Sequence, residues 1–593
     1  MKKIIGLSAL LLSSNSALAT VKYHIDLSSP QHHTATVSMT LPAGSQNANV
    51  MMPAWRTGKY KLLDLANGVR GFSATDSNGK ALEWQHHDKA SWSINNPTKQ
   101  AITVSYSVYA NELGVRTRHI DDSHAYLDAT GVFMYDPAHR DEDISVKLTV
   151  PKHWHSYAGM DRKSAHHFVA DNYDVLVDSP IETGVSEVFD FKEDGKDYQL
   201  VIWGEGNYDA PKMAKDLQQM VGASQNIWQG YPFDKYVFMV HATTNARGAT
   251  EHLNSTVIQR LRFSFAPRKD YLSFLKTAAH EFVHTWNVKA YRPEGVAKYD
   301  YQKENYTDLL WISEGSTSYF QSQLLLQAGL MTHKEFFEDL ARRIDGHLKK
   351  PGKKVQSVAQ SSHESWIAMP GDFATNNSVN IYSEGFMASL ALDFQMLSDS
   401  QLKAGYSELH GELYKQHRLP KPFNAQDVQN IAQSLTGKSY TQWWNNNVEA
   451  PLAIDFDKLL NKAGLEFTYP SKAKDIAATG FYHTSKDGLV TLTRVLKDSA
   501  SWLAGLNVGD QLVAINGLKV TPATLKVRLA QYKVGESVSL SVFRRDRLVE
   551  KVLVLDEVKD KKPLIKAVAK PTAAQKAFFK AWVGVDFPES KKK

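Results

Sequence analysis

At 593 residues the chain is too long for one hydrophobic core, so three or four domains are expected. Its 42% hydrophobic and 22% charged residues are ordinary for a soluble globular protein. Of the formal charge of +6, five come from Lys2, Lys3, Lys591, Lys592 and Lys593, which leaves a near-neutral body without the electrostatic footprint of a nucleic-acid binder. The complete lack of cysteine excludes thiol catalysis, disulfides and cysteine-bound zinc.

Met1 to Ala19 has the order of a secretory signal: Lys2-Lys3, an apolar run from Ile4 to Leu12, and Ala17-Leu18-Ala19 as a small-x-small cleavage site. The run is too short to span a bilayer. The expectation is an exported chain beginning at Thr20, located in the periplasm of a Gram-negative bacterium.

From Thr20 to about Phe191 the pattern is strand-like. Ala35, Val37, Met39 and Leu41 alternate with polar residues, as do Ile102, Val104, Tyr106 and Val108, and the run from Ile144 to Val150 repeats this. A β-sandwich follows. Met52-Pro53-Ala54-Trp55 and Gly58-Lys59-Tyr60 form an aromatic-rich loop whose composition points only to packing.

Pro211 to Gln229 predicts a helix, and Tyr236 to His241 a strand leading to Gly248-Ala249-Thr250-Glu251-His252. A helix over about 271–288 then carries His280-Glu281-Phe282-Val283-His284. Histidines four apart share one helix face, so both imidazoles can reach one metal ion, with Glu281 directed at a water on that ion. A chance occurrence would instead bury Phe282, Val283 and Trp286 and leave the histidines half exposed. A hydrolytic zinc site needs a third protein ligand and an open position. Glu314, in Trp311-Ile312-Ser313-Glu314-Gly315 on a second helix starting near Asn305, is the best candidate. The competing role is a first-turn acid stabilising its helix. Glu281 would act as general base towards the water.

From Glu335 to about Val448 the pattern is helical, with Phe336, Phe337, Leu340 and Ile344 on one face. Asp475 to about Glu557 returns to short strands, and Ala573 to Val583 predicts an amphipathic helix. Within the strand block, Ala504-Gly505-Leu506, Gly509-Asp510-Gln511-Leu512 and Ile515-Asn516-Gly517 resemble the signature runs of a PDZ domain. Such a domain adds an extended peptide to a sheet edge. Gly480-Phe481 would be its peptide-binding loop, although the segment departs from the usual Gly-Leu-Gly-Phe form.

His280-Glu281-x-x-His284-x-Trp286-Asn287-Val288-Lys289, Glu304-Asn305-Tyr306-Thr307 and Trp311-x-x-Glu314-Gly315-x-Thr317-x-Tyr319 resemble the glycyl aminopeptidase family of zinc peptidases, a thermolysin-like group with a glutamate third ligand. Met52-Pro53-Ala54-Trp55 and Tyr109-Ala110-x-Glu112-Leu113-x-Val115-Arg116-Thr117 resemble its N-terminal β domain. The resemblance implies removal of small N-terminal residues, glycine and alanine. It also implies that Gly248-x-x-Glu251-His252 holds the substrate's free ammonium through Glu251, and that Tyr382 stabilises the oxyanion. Ala249 and Thr250 depart from the family's Gly and Leu, and Glu384 stands where lysine is usual.

The sequence thus predicts a multidomain α+β chain: signal peptide 1–19, N-terminal β domain 20–195, thermolysin-like catalytic domain 196–470, PDZ domain 471–560, and a C-terminal helix with basic tail 561–593. The expected cofactor is Zn2+, and the expected partners are peptides with a free N-terminus and a peptide ligand of the PDZ domain. The alternatives are a zinc endopeptidase and a non-catalytic, chaperone-like peptide-binding protein. Nothing in the sequence fixes an oligomeric state.

Overall fold

The computed structural model describes residues 20–115 and 117–588. The expected signal segment, Arg116 and the terminal lysines lie outside the described residues. The described residues form two compact units, one of residues 20–57 and 62–187, the other of 188–588 together with Gly58–Lys61.

The first unit is β-rich. Strands β1 (Thr34–Leu41) and β2 (Ile102–Tyr109) pair antiparallel, with Ala35 opposite Val108, Val37 opposite Tyr106, Met39 opposite Val104 and Leu41 opposite Ile102. All eight are buried, because a period of two sends one apolar set to one face. These strands belong to a seven-stranded sheet, and sheets of four and three strands complete the unit.

The second unit carries a five-stranded sheet of β3 (Glu187–Glu193), β4 (Lys196–Trp203), β5 (Lys235–Thr243), β6 (Gly248–Glu251) and β7 (Ser255–Leu261). Its order is β3-β4-β5-β7-β6, so β6 is an edge strand, and it runs antiparallel to β7. Six helices matter for the site: α1 (Ala210–Ala223), α2 (Arg268–Val283), α3 (Thr317–Gln327), α4 (His333–Leu348), α5 (Ser383–Asp399) and α6 (Ala573–Val583). Helix α3 is central, with Thr317 through Leu326 all buried. Its polar residues are buried with the rest and bond to neighbouring helices, Gln321 to His280 and Ser322 to Asp339.

Two helices differ from the sequence expectation. Helix α2 ends at Val283 rather than near Val288, since Val288 takes φ of 100° and the Lys289 N–H turns back to the His284 carbonyl. Trp286 anchors this turn by stacking on Trp228 at 4.7 Å and donating to the Gly230 carbonyl at 3.0 Å. The second helix does not start near Asn305. There the Asn305 side-chain amide donates to the carbonyls of Asp300 and Lys303, holding a loop by the local bonding that competes with helix. Regular α3 begins only at Thr317, after a π-turn over Trp311–Ser316.

Helix α6 is as the sequence predicts, opened by a Thr572–Gln575 capping box and closed by Gly584 in the left-handed region. It docks through Trp582, whose indole donates to the Tyr319 hydroxyl at 2.6 Å. Tyr319 in turn donates to Asp393 at 2.6 Å, and the Tyr406 N–H donates to the same carboxyl at 2.9 Å. Burial raises the Asp393 carboxyl to about 7, outweighing the Tyr319 and Tyr406 hydrogen bonds that favour its charge. An unfolded Asp titrates near ~3.9. The folded chain therefore holds this proton more tightly, and the associated stability is complete below the unfolded value and lost as pH rises through 7. Asp393→Asn should remove a decline worth up to ~4 kcal/mol between these limits. Urea unfolding midpoints across that range check this, and parallel curves for both proteins would refute it.

Near the C-terminus, β8 (Phe481–Lys486) is the edge of a sheet that continues through Leu489–Val495, Gln511–Ile515, Ser537–Arg544 and Arg547–Val554. Val490, Leu512, Ile515, Leu540 and Leu553 give this sheet a core of its own. Asn516 and Gly517 both take positive φ, as a tight hairpin turn requires. Among the described residues no helix is long and apolar enough to cross a membrane.

Candidate active site

Helix α2 presents His280, Glu281 and His284 together, and the π-turn brings Glu314 to them. The two Nε2 atoms lie 3.2 Å apart, and Glu314 Oε2 is 3.4 Å from His284 Nε2 and 3.7 Å from His280 Nε2. Ligand bonds of ~2.0–2.1 Å in a tetrahedron put donor atoms ~3.3 Å apart. The triangle therefore has the dimensions of a tetrahedral metal site with one open corner.

The other ring nitrogens fix the tautomers. His284 Nδ1 donates to the Asn287 carbonyl and His280 Nδ1 to Gln321 Oε1, each at 3.0 Å, so both Nε2 lone pairs point at the triangle. Asn287 is itself locked, its amide donating to the carbonyls of Ile312 and Ser313. That bond ties the end of α2 to the turn carrying Glu314. The turn lies hard against α5, since a Cβ on Gly315 would come within 2.4 Å of the Gly385 backbone. Burial alone would raise the Glu314 carboxyl, but the two imidazoles facing it hold it well below the ordinary carboxylate range. Its oxygens are engaged at the triangle rather than at helix N–H groups.

The aromatic-rich loop is more than packing. The Tyr60 hydroxyl donates to Glu314 Oε1 at 2.7 Å, and burial, then the negative charge of Glu314, push its pKa well above the ordinary tyrosine value, so it remains a donor. Two residues earlier, Gly58 has φ of 76°, and a Cβ there would lie 2.4 Å from Glu251 Oε1. Only glycine lets the backbone pass so close to that carboxylate. Removing the Tyr60 hydrogen bond by Tyr60→Phe should weaken metal binding ~10–100-fold, the usual effect of losing a ligand's outer partner. Competition against a chromophoric chelator reads this, and an unchanged affinity would dismiss the role.

Glu251 ends β6, and its carboxylate lies within 4.8 Å of donor atoms of both Glu281 and His284. Gly248 opens the same strand opposite Gln259. His252 is buried in the turn that follows, its N–H donating to the Ser255 carbonyl at 3.0 Å. Tyr382 precedes α5, half-buried, with its ring centroid 6.1 Å from that of His280. Glu384 is buried and accepts from His347 Nδ1 at 3.0 Å, which ties α5 to α4. Gly480 and Phe481 belong to the C-terminal sheet instead. Gly480 turns at φ of 78° against Ser499, and Phe481 opens β8 over the small core.

Glu251, Glu281 and Glu314 thus place three buried carboxylates around two imidazoles. Like charges at such range oppose ionisation unless a cation joins them. The donor set fits a divalent metal, with negative charge left over for a second cationic group.

Comparison with known proteins finds two matching family models. Residues 22–185 match the family model of the peptidase M61 N-terminal domain, and residues 273–388 match that of the M61 glycyl aminopeptidase. The chain is a metallopeptidase. More particularly, it is similar over 95% of its length, and all of the other chain, to an aminopeptidase N family protein of Idiomarina loihiensis, with 26% identity and a TM-score of 0.87. An M1 zinc metallopeptidase of Deinococcus radiodurans, solved as a variant with a bound Tyr-Ser-Ala peptide, covers 74% of the chain and 95% of its own at 13% identity and a TM-score of 0.47. No curated protein matches in sequence.

Proposed function

We propose that this protein is a zinc-dependent aminopeptidase, exported to the periplasm, that removes small N-terminal residues, glycine and alanine in particular, from peptides. The observation that carries the reading is the approach of Glu251 to the triangle of His280, His284 and Glu314. A carboxylate fixed there pairs with a substrate's ammonium and disfavours peptides that lack one. The preference for small residues rests on the description of the matched catalytic domain.

A zinc ion held by His280, His284 and Glu314 would supply Lewis acidity towards water and the scissile carbonyl. Glu281 takes a proton from the attacking water and delivers it to the leaving amine. Tyr382 donates to the oxygen that gains negative charge. Glu251 fixes the amino end, so that the first peptide bond is the one presented. Residues 471–560 are assigned as a PDZ domain, a reading supported by the separate core and by β8 lying at a sheet edge, where a peptide strand can add.

Paired alanine peptides with free and acetylated N-termini test the reading. Acetylation should lower kcat/KM at least ~100-fold, since it removes a charge-assisted bond and leaves buried carboxylate unpaired. Equal cleavage of both would make the protein an endopeptidase with Glu251 as a structural acid.

A further inference from the structure

On the His280 side of the metal triangle opens a cleft of about 200 Å³, lined by Ser273, Lys276, Thr277, His280, Glu281, Gln321, Arg342 and Arg343. Its walls carry three cations, Lys276, Arg342 and Arg343, against the carboxylates of Glu281 in the lining and Asp339 beside it. Lys276 and Arg343 each donate to Asp339 at 3.0 Å, and Arg342 donates to the same carboxylate. Burial would raise the Asp339 carboxyl, but Arg343, Lys276 and Arg342 hold it far below its ordinary range. One carboxylate thus serves three cations. Behind the cleft, Arg260 donates to the Ser273 carbonyl and to Thr277 Oγ1, and its Nε is buried without a partner. Burial and then the charge of Arg247 lower the Arg260 pKa, and Glu281 and Asp270 oppose them only in part. Partly buried cations left short of counter-charge raise the free energy of the empty site and attract an anion.

The position of this charge along α2 sets a distance. Lys276 precedes His280 by one turn and Ser273 by two, which is ~6–10 Å along the axis. An extended peptide advances ~3.3 Å per residue. A carboxylate two or three residues beyond the scissile carbonyl falls within this span, whereas that of a dipeptide stops short. Glu251 groups with Glu281 and His284, and Glu281 lines the cleft together with His280, so the cleft adjoins the place of the amino end through Glu281.

We propose that the cleft receives a carboxylate two or three residues downstream of the cleaved bond, which makes tri- and tetrapeptides with a free C-terminus the favoured substrates. This rests on the aminopeptidase reading for the direction of the peptide. An Asp or Glu side chain at the same place in a longer peptide offers the same chemistry.

The test compares Ala-Ala-Ala, its C-terminal amide and Ala-Ala-Asp-amide, with Ala-Ala and its amide as the short pair. The wild-type protein should favour the tripeptide acid over its amide about tenfold, mainly through KM, and the dipeptide pair far less. Recovery with Ala-Ala-Asp-amide extends the site to side chains, and no recovery restricts it to the chain terminus. In Lys276→Gln and in the exposed rim variant Arg342→Gln the acid-to-amide ratio should fall several-fold, a ratio that cancels any loss of folded protein. A wild-type ratio near one, or a ratio unchanged in both variants, overturns the proposal. An alanyl arylamide with a free amine is run alongside: if it is not turned over, the aminopeptidase reading fails. Calorimetric binding of the same acid and amide peptides to chelator-treated protein then decides the cleft separately.

Discussion

Glutamine in place of Glu281 is expected to leave metal content at the wild-type level while lowering kcat/KM by ~10²–10⁴-fold. The exchange preserves side-chain length at a buried position and removes only the capacity to accept and release a proton. Neither imidazole depends on Glu281 for its orientation, since His280 is held by Gln321 and His284 by the Asn287 carbonyl. Metal binding and turnover should therefore separate. Elemental analysis of the variant beside its kinetics reads both, and undiminished turnover would remove Glu281 from the proton path.

Alanine in place of Glu314 should do the opposite and empty the site. The triangle loses its anionic corner, and two neutral imidazoles remain to hold a divalent cation. Dialysed Glu314→Ala protein should retain only a trace of metal, with activity falling by at least as much as in the Glu281 variant. A full complement would mean the third donor lies elsewhere. Glu251 and Glu281 are the groups to try next, because their carboxylates cluster with His284. The Tyr60 hydroxyl, left without its acceptor, adds a destabilising term of ~1–3 kcal/mol.

Much of this was legible in the residues because its signals are local. The strict alternation in 34–41 and 102–109 fixes which face of each strand is buried, and the two strands pair in the register that joins those faces. The four-residue spacing of His280 and His284 fixes a shared helix face in the same way. The parts that escaped depend on contacts between distant residues or on backbone forms without a sequence pattern. The π-turn at Trp311–Ser316 has no periodic signature, so a regular helix was expected from Asn305 onward. Tyr60 and Glu314 are 254 positions apart, and nothing local to either announces the other. Arg342 lies opposite the apolar stripe of α4 and Arg343 on its flank, and nothing local to either announces Lys276, 66 and 67 positions away, or the Asp339 carboxylate they share with it.

The grouping of Gly58–Lys61 with the second unit limits how the enzyme can be divided. A fragment expressed from residue 188 onward would keep every proposed ligand, the base and Glu251, yet lack the hydroxyl that steadies Glu314 and the glycine that borders Glu251. Adding the tetrapeptide back in trans would require it to find its left-handed turn unaided. The catalytic half should therefore behave as a cripple rather than as a minimal enzyme, and domain-swapped chimeras would need to carry their own version of this loop.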